Sequence, residues 1–163
     1  MTTAFVLDIR HDSVVDGPGL RSVVFFAGCP HHCLGCHNPD SWIRENGSEQ
    51  PVSAIIDTLL QNPLSDVTLS GGEPFEQAQA AGLIAKACQK AGKDVWVFTG
   101  WTLEALLDRD DPATDLLLVN TDTLVDGPYE QNNPDTGPAF RGSTNQRILT
   151  GPFRKPHVLF PPL

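Results

Sequence analysis

The sequence has few basic residues and no long apolar run. Its 163 residues include 11 basic and 20 acidic side chains, for a formal net charge of -9. Because no cluster of Lys and Arg could follow a phosphate backbone, we expect no nucleic acid partner. No stretch reaches the roughly 18 apolar residues of a membrane span, and MTTAFVLDIR at the N-terminus lacks the pattern of a signal peptide. We therefore expect a cytoplasmic protein with no membrane association.

Cysteine is scarce, and three of the four cysteines lie together. Cys29, Cys33 and Cys36 occupy the cluster loop, residues 28–39 (GCPHHCLGCHNP), whereas Cys88 lies far downstream. In a reducing cytosol, grouped cysteines bind metal or perform redox chemistry more often than they form disulfides. A C-x3-C-x2-C loop can bind three corners of a 4Fe-4S cluster and leave the fourth iron without a protein ligand. A closed zinc site completed by Cys88 or a nearby His is the alternative.

Short apolar segments alternate with helical patterns along the chain. Predicted strands are TAFVLDI (3–9), RSVVFFAG (21–28), SDVTLS (65–70), KDVWVFTG (93–100), DLLLVN (115–120) and HVLF (157–160), and predicted helices cover 51–63, 74–92 and 102–109. Several strands are continuously apolar, which is typical of a parallel sheet covered on both faces. The alternation of strands and helices predicts an α/β fold with βαβ crossovers.

The length limits the architecture to one modest domain. A complete eight-unit barrel needs about 250 residues, so we expect a partial, open (β/α) barrel with a mostly parallel sheet of about five or six strands. We expect residues 1–163 to form a single domain. Gly, Pro, Asn and Asp become frequent after residue 125, which predicts an irregular C-terminal loop region over 125–147.

The cysteine spacing resembles the signature of the radical S-adenosylmethionine (SAM) enzymes, and the likeness extends over most of the chain. Matching blocks are DGPGLR (16–21), FFAGCPHHCLGCHNPDSW (25–42), SGGEPF (70–75), VWVFTGWTLEAL (95–106), LVDGPYEQ (124–131) and RGSTNQR (141–147). In this order they resemble the activating proteins of anaerobic, class III ribonucleoside-triphosphate reductases. The last two blocks discriminate best, because activases of other glycyl-radical enzymes share the first blocks and are longer.

The resemblance implies an oxidoreductase of the radical SAM class. It implies a 4Fe-4S cluster with three Cys ligands and one open iron, at which SAM is reductively cleaved. It also implies that the product radical makes a glycyl radical on the catalytic subunit of the anaerobic reductase, with reduced flavodoxin or ferredoxin as electron donor. Two alternatives stay open: an activase of a different glycyl-radical enzyme, and a non-catalytic iron-sulfur or zinc-binding module.

The same resemblance assigns the SGGEP segment to the methionine end of SAM. This segment follows a predicted strand, where ligands bind in parallel α/β folds. Gly71 and Gly72 allow close approach of the backbone to a ligand, and Glu73 is expected to accept a hydrogen bond from the ligand's ammonium group.

Residues at the end of the cluster loop are assigned to the adenine side of SAM, namely Gly35, Cys36 and His37. Gly35 differs from the wider superfamily, which often has an aromatic residue at this position. We expect the other two loop histidines, His31 and His32, to be solvated.

Overall fold

A seven-stranded sheet connects the residues that the computed structural model describes, 1–137 and 140–154. The strands are β1 (Thr3–Ser13), β2 (Arg21–Phe26), β3 (Ser48–Pro51), β4 (Asp66–Gly71), β5 (Val95–Phe98), β6 (Thr123–Asp126) and β7 (Arg147–Thr150). Their order is β3-β1-β2-β4-β5-β6-β7, with β3 and β7 at the two edges, so the sheet is open.

Four central strands, β2, β4, β5 and β6, pair in parallel. Strand β1 is antiparallel to both β2 and β3, and β7 is antiparallel to β6. Since β3 thereby points the same way as β2, only β1 and β7 run against the direction of the others. The predicted α/β class and mostly parallel, open sheet are confirmed for the described residues.

Continuous burial explains why the central strands are parallel. Val24, Leu69, Val97 and Leu124 lie opposite one another across the four strands, and none of these side chains is exposed. This apolar row belongs to the main hydrophobic core. At about 25 cal/mol per Å² of buried apolar surface, such a row is a major source of stability.

In the described part of the chain, four α-helices accompany the sheet: α1 (Val52–Leu60), α2 (Ala78–Lys90), α3 (Leu103–Leu107) and α4 (Pro112–Val119). Helix α2 contacts both α1 and α4. Gly82 permits the approach of α2 to α4, because a Cβ there would lie 2.8 Å from the Leu116 side chain. Gly92 at φ +81° follows the end of α2, and the Thr102 hydroxyl accepts from the amide of Ala105 to cap α3.

The prediction of a strand over DLLLVN, residues 115–120, is wrong. Residues 115–119 belong to α4 and Asn120 caps its end; the helix begins after Asp111, whose carboxylate accepts from the amides of Ala113 and Thr114. Short apolar runs do not distinguish a buried strand from a buried helix, and here the Asp-Pro cap decides. The strand at this point of the sheet is β6 instead.

Other differences concern element ends. Edge strands β3 and β7 were not predicted, and the first turn of the predicted helix 74–92 is a 3₁₀ turn, Pro74–Gln77. The predicted loop region 125–147 begins inside β6 and ends on the first residue of β7. The predicted strand HVLF, 157–160, lies outside the described residues. No helix within 1–137 and 140–154 has the length and apolar character that crossing a membrane requires.

Candidate functional site

The three loop cysteines line one cavity at the carboxyl ends of the parallel strands. Cys29, Cys33 and Cys36 border a volume of about 150 Å³, and all three are partly exposed free thiols. The opposite wall consists of the ends of β4 and β5 with the residues that follow them, Ser70, Gly71, Gly72, Phe98, Thr99 and Gly100. The sequence predicted this meeting of the cluster loop with the SGGEP segment.

Burial separates Cys88 from the three loop cysteines, because the loop cysteines are partly exposed and Cys88 is fully buried. Desolvation raises the pKa of Cys29 to about 11, and the nearby Glu73 charge acts in the same direction. Cys88 lies in α2 with no exposed surface, and burial raises the pKa of its thiol to about 11 as well. Cys88 packs in the hydrophobic core and is absent from the cavity wall.

The donor set suits an iron-sulfur cluster. Each iron of a cuboidal cluster takes its own thiolate, so its ligands surround a cavity instead of converging on one point. Three thiols around one cavity therefore fit the cluster that the sequence predicts.

The two glycines of the SGGEP segment allow backbone to meet backbone. Gly71 adopts φ +93°, and a Cβ on it would lie 2.4 Å from the amide nitrogen of Phe26. A Cβ on Gly72 would lie 2.4 Å from the carbonyl oxygen of Gly28, at the start of the cluster loop. Both residues line the cavity, and the close approach that they permit joins β4 to β2 and to the loop.

Glu73 is fully buried and has four hydrogen-bond donors. Its Oε1 accepts from the hydroxyl of Thr99 at 2.8 Å and from the amide of Phe75 at 3.1 Å. Its Oε2 accepts from the amide of Gly100 at 2.8 Å and from Nε2 of His31 at 2.7 Å. All four donors belong to the protein. Its expected contact with a ligand ammonium group stays a prediction.

The expectation that His31 is solvated is wrong. Only 13% of its side chain is exposed, and its ring meets the ring of Trp101 edge-on at 4.7 Å. The missing side chain of Gly100 provides the space, because a Cβ there would lie 2.5 Å from the His31 ring. His32 is exposed as expected, and it stacks on Trp42 with 4.5 Å between ring centroids.

A second cavity of about 330 Å³ adjoins the first. The two share Cys36, Ser70, Gly71, Phe98, Tyr129 and Gln146. His37 lines this second cavity and lies 5.0 Å from the ring of Tyr129. Gly35 faces Gln131 instead, since a Cβ on Gly35 would lie 2.7 Å from Cδ of that residue. The structure thus groups Cys36 and His37 with Gly71, with Gly35 beside them against the C-terminal loop.

Sequence analysis missed Tyr129 and Gln146 as cavity residues. Gln146 donates from Nε2 to the carbonyl of Gly127 at 3.0 Å and accepts the amide of Gly142 at 2.8 Å. Asn145 donates to the carbonyl of Pro128 at 2.7 Å. Blocks 124–131 and 141–147 therefore contact each other and form one wall of the site. Their place among the matching sequence blocks was the only signal in the sequence.

Three thiols in one loop, beside the carboxyl ends of parallel strands, define an iron-sulfur protein of the α/β class. A family model described as "4Fe-4S single cluster domain" matches residues 15–149. The chain is 34% identical over 147 residues to the anaerobic ribonucleoside-triphosphate reductase-activating protein of Escherichia coli (strain K12), covering 83% of this chain and 91% of that protein.

Relatives of the same name occur in Vibrio cholerae serotype O1 and in Enterobacteria phage T4. The Vibrio protein is 34% identical, with 83% of this chain and 90% of that protein covered. The phage protein is 33% identical, with 82% and 86% covered. The chain therefore belongs to the family of anaerobic ribonucleoside-triphosphate reductase-activating proteins, as its sequence blocks predicted.

Proposed function

We propose that this protein is a radical SAM activase that generates a glycyl radical on the anaerobic ribonucleoside-triphosphate reductase. The observation that carries the proposal is the shared cavity of Cys29, Cys33 and Cys36 with the SGGEP segment. The names of the relatives and the iron-sulfur family model support the same activity. The fold we propose is the partial, open barrel of the radical SAM enzymes, formed by residues 1–163 as one domain.

Cys29, Cys33 and Cys36 hold the 4Fe-4S cluster in this proposal. A cluster bound there supplies the single electron for reductive cleavage of SAM. Cys88 is enclosed in the core and is not available as a fourth ligand. A cluster held by these three thiolates would have one iron without a protein ligand, available to the amino acid end of SAM.

The chain's own residues bind and orient SAM. Gly71 and Gly72 bring the backbone against the methionine end, near the Glu73 carboxylate. Gly35, Cys36 and His37 lie on the adenine side, where the cavity of about 330 Å³ continues from the first. Enclosing SAM between the sheet and the C-terminal loop region keeps water from the reactive carbon and holds the reactants close.

The partner is the catalytic subunit of the anaerobic reductase, and reduced flavodoxin or ferredoxin donates the electron. We assign docking of the reductase to exposed residues of the C-terminal loop region, including Gln131 and Asn132. An oxygen-sensitive cluster agrees with the cytoplasmic location expected from the sequence. Gln131→Arg and Asn132→Arg add positive charge to this surface and should weaken capture of the reductase in a pull-down. Unchanged capture would contradict this assignment.

The activity test begins with protein purified without oxygen and reconstituted with iron and sulfide. Reduced protein mixed with SAM is expected to release methionine and 5'-deoxyadenosine. Bound zinc, or a cluster without SAM cleavage, would instead favour the non-catalytic module.

The target is tested separately. The anaerobic reductase and a pyruvate formate-lyase are each incubated with the reduced protein and SAM, and the glycyl radical is measured by electron paramagnetic resonance. We expect the radical on the reductase. A radical only on the second enzyme would favour the activase of a different glycyl-radical enzyme.

A further inference from the structure

One hydrogen bond links the cluster loop to the SGGEP segment through side chains. His31 lies between the predicted ligands Cys29 and Cys33, and its Nε2 donates to Oε2 of Glu73 at 2.7 Å. Since a carboxylate oxygen can only accept, the ring nitrogen supplies the proton of this bond. The bond bridges 42 residues of sequence, so it forms only in the folded chain.

The Glu73 carboxylate, which accepts this bond, is shielded from water. Glu73 is 0% exposed, and both of its oxygens depend on donors from the protein. Removing one donor from a buried carboxylate costs more than removing a bond at the surface, because the oxygen is left without a partner. The hydrogen bond to Glu73 therefore holds the His31 ring firmly in position.

The His31 ring is also fixed from the other sides. Trp101 meets it edge-on with the ring centroids 4.7 Å apart, and Gly100 leaves room for it by lacking a Cβ. The backbone adds a second connection, because the amide of Glu73 donates to the carbonyl of Gly28 at 2.8 Å. The loop segment carrying Cys29 is thus attached to the same glutamate at residue 28 and at residue 31.

From this geometry we infer that His31 is a positioning residue, which sets the cluster loop relative to the part of the cavity that receives the amino acid end of SAM. It acts through its hydrogen bond to Glu73, and its ring lines the same cavity as the three loop cysteines. Removing the bond leaves the backbone contact at Gly28 but loosens the segment between Cys29 and Cys33 relative to the ends of β4 and β5. SAM must contact both sides of the cavity at once, so its affinity falls when the two sides are no longer in register. The inference rests on the proposed function for this SAM readout.

Two polar variants of His31 distinguish the loss of the hydrogen bond from the loss of the ring's volume. The amide nitrogen of Gln is placed like Nε2 of His, whereas the amide of Asn is one methylene shorter and does not reach Glu73. We expect His31→Asn to weaken SAM binding by about ten- to one-hundred-fold, the effect of losing a hydrogen bond to a charged group. His31→Gln should stay within about threefold of the original protein. His32→Asn is the matched control, because His32 is exposed in the same loop and does not contact Glu73.

The measurements are the dissociation constant for SAM, the rate of 5'-deoxyadenosine release and the rate at which a chelator removes iron from the reconstituted protein. Faster iron loss in His31→Asn than in His31→Gln supports the inference without reference to catalysis. Equal behaviour of the Asn and Gln variants, or of His31→Asn and His32→Asn, overturns it. If the unaltered protein binds a cluster but does not cleave SAM, the proposed function fails, and the iron-loss comparison still tests His31.

Discussion

Single residues of the site differ in how far sequence could predict them. Cys29, Cys33 and Cys36 were identifiable because thiols at this spacing have few other uses in a reducing compartment. His31 was not identifiable, because its burial depends on Gly100 and Trp101, which come from another part of the chain. Local spacing therefore predicted the thiols that line one cavity, whereas the contacts of His31 required the folded structure.

Replacing a loop cysteine should remove the cluster. Cys29→Ala, Cys33→Ala and Cys36→Ala are each expected to lower iron and sulfide after reconstitution from about four per chain to near background, because each thiolate binds its own iron. Cys88→Ala is the control, and it should keep the cluster while losing about 1 kcal/mol of unfolding free energy from a small core cavity. Loss of iron and sulfide from the Cys88 variant would contradict the ligand assignment.

A methyl group at Gly72 should separate the SGGEP segment from the cluster loop. Its Cβ would lie 2.4 Å from the carbonyl oxygen of Gly28 and 2.9 Å from that of Ser41, and backbone atoms cannot rotate away. Gly72→Ala should lower the free energy of unfolding by about 2 kcal/mol in urea denaturation and should also speed iron loss to a chelator.

Gly92→Ala is the comparison for that variant. Gly92 has φ +81°, and no atom lies within 4 Å of the position that a Cβ would take. The change therefore adds backbone strain of about 1 kcal/mol without a clash. Its rate of iron loss should match that of the unaltered protein. Iron loss that is equally fast in both variants would show that general destabilisation, and not the contact with Gly28, is responsible.

At the scale of elements, the Arg147 side chain joins β7 to Asp126 of β6 and to Glu104 of α3, in addition to the backbone pairing of β6 with β7. Arg147 donates from Nε to Oδ1 of Asp126 at 3.0 Å and from Nη1 to Oε1 of Glu104 at 3.0 Å. Asp126 is only 1% exposed, and hydrogen bonds to Asp126 and then Glu104 raise the pKa of Arg147 above its ordinary value. The predicted loop over 125–147 included the end of β6 and the start of β7, because four-residue strands leave little periodic signal, whereas α3 lies within the helix predicted over 102–109.

Arg147→Met should weaken this corner of the sheet. It leaves the buried carboxylate of Asp126 without its cation, and we expect a loss of about 2 kcal/mol in thermal or urea unfolding, less than for a fully buried pair because the Arg147 side chain is 44% exposed. Glu104→Gln removes the exposed half of the same interaction and should have a smaller effect. An equal or larger loss for Glu104→Gln would refute the dominant role of Asp126.

For the whole molecule, one sheet runs through both the cluster side and the C-terminal region. Strand β7 pairs with β6, and the sheet continues from β6 through β5 and β4 to β2. A single hydrophobic cluster includes residues from Ala4 to Phe153. The C-terminal segment therefore shares its core with the strands that carry the cluster loop.

Unfolding of the apoprotein should accordingly be one cooperative transition. We expect tryptophan fluorescence, to which the buried Trp96 contributes, and far-ultraviolet circular dichroism to give the same urea midpoint. Two separated midpoints would contradict the proposal of a single domain. Cys88→Ala should shift both signals together, because Cys88 lies in the shared core.

The sequence by itself determined the donor set, the family blocks and the α/β alternation, since these depend on residue type and on short-range spacing. It could not decide whether DLLLVN was strand or helix, since a short buried apolar run suits both. Only the tertiary structure decided that Glu73 takes its four donors from the protein, that His31 is one of them, and that Gln146 joins the last two blocks. These contacts link residues distant in the chain, and no local pattern specifies which of them will meet.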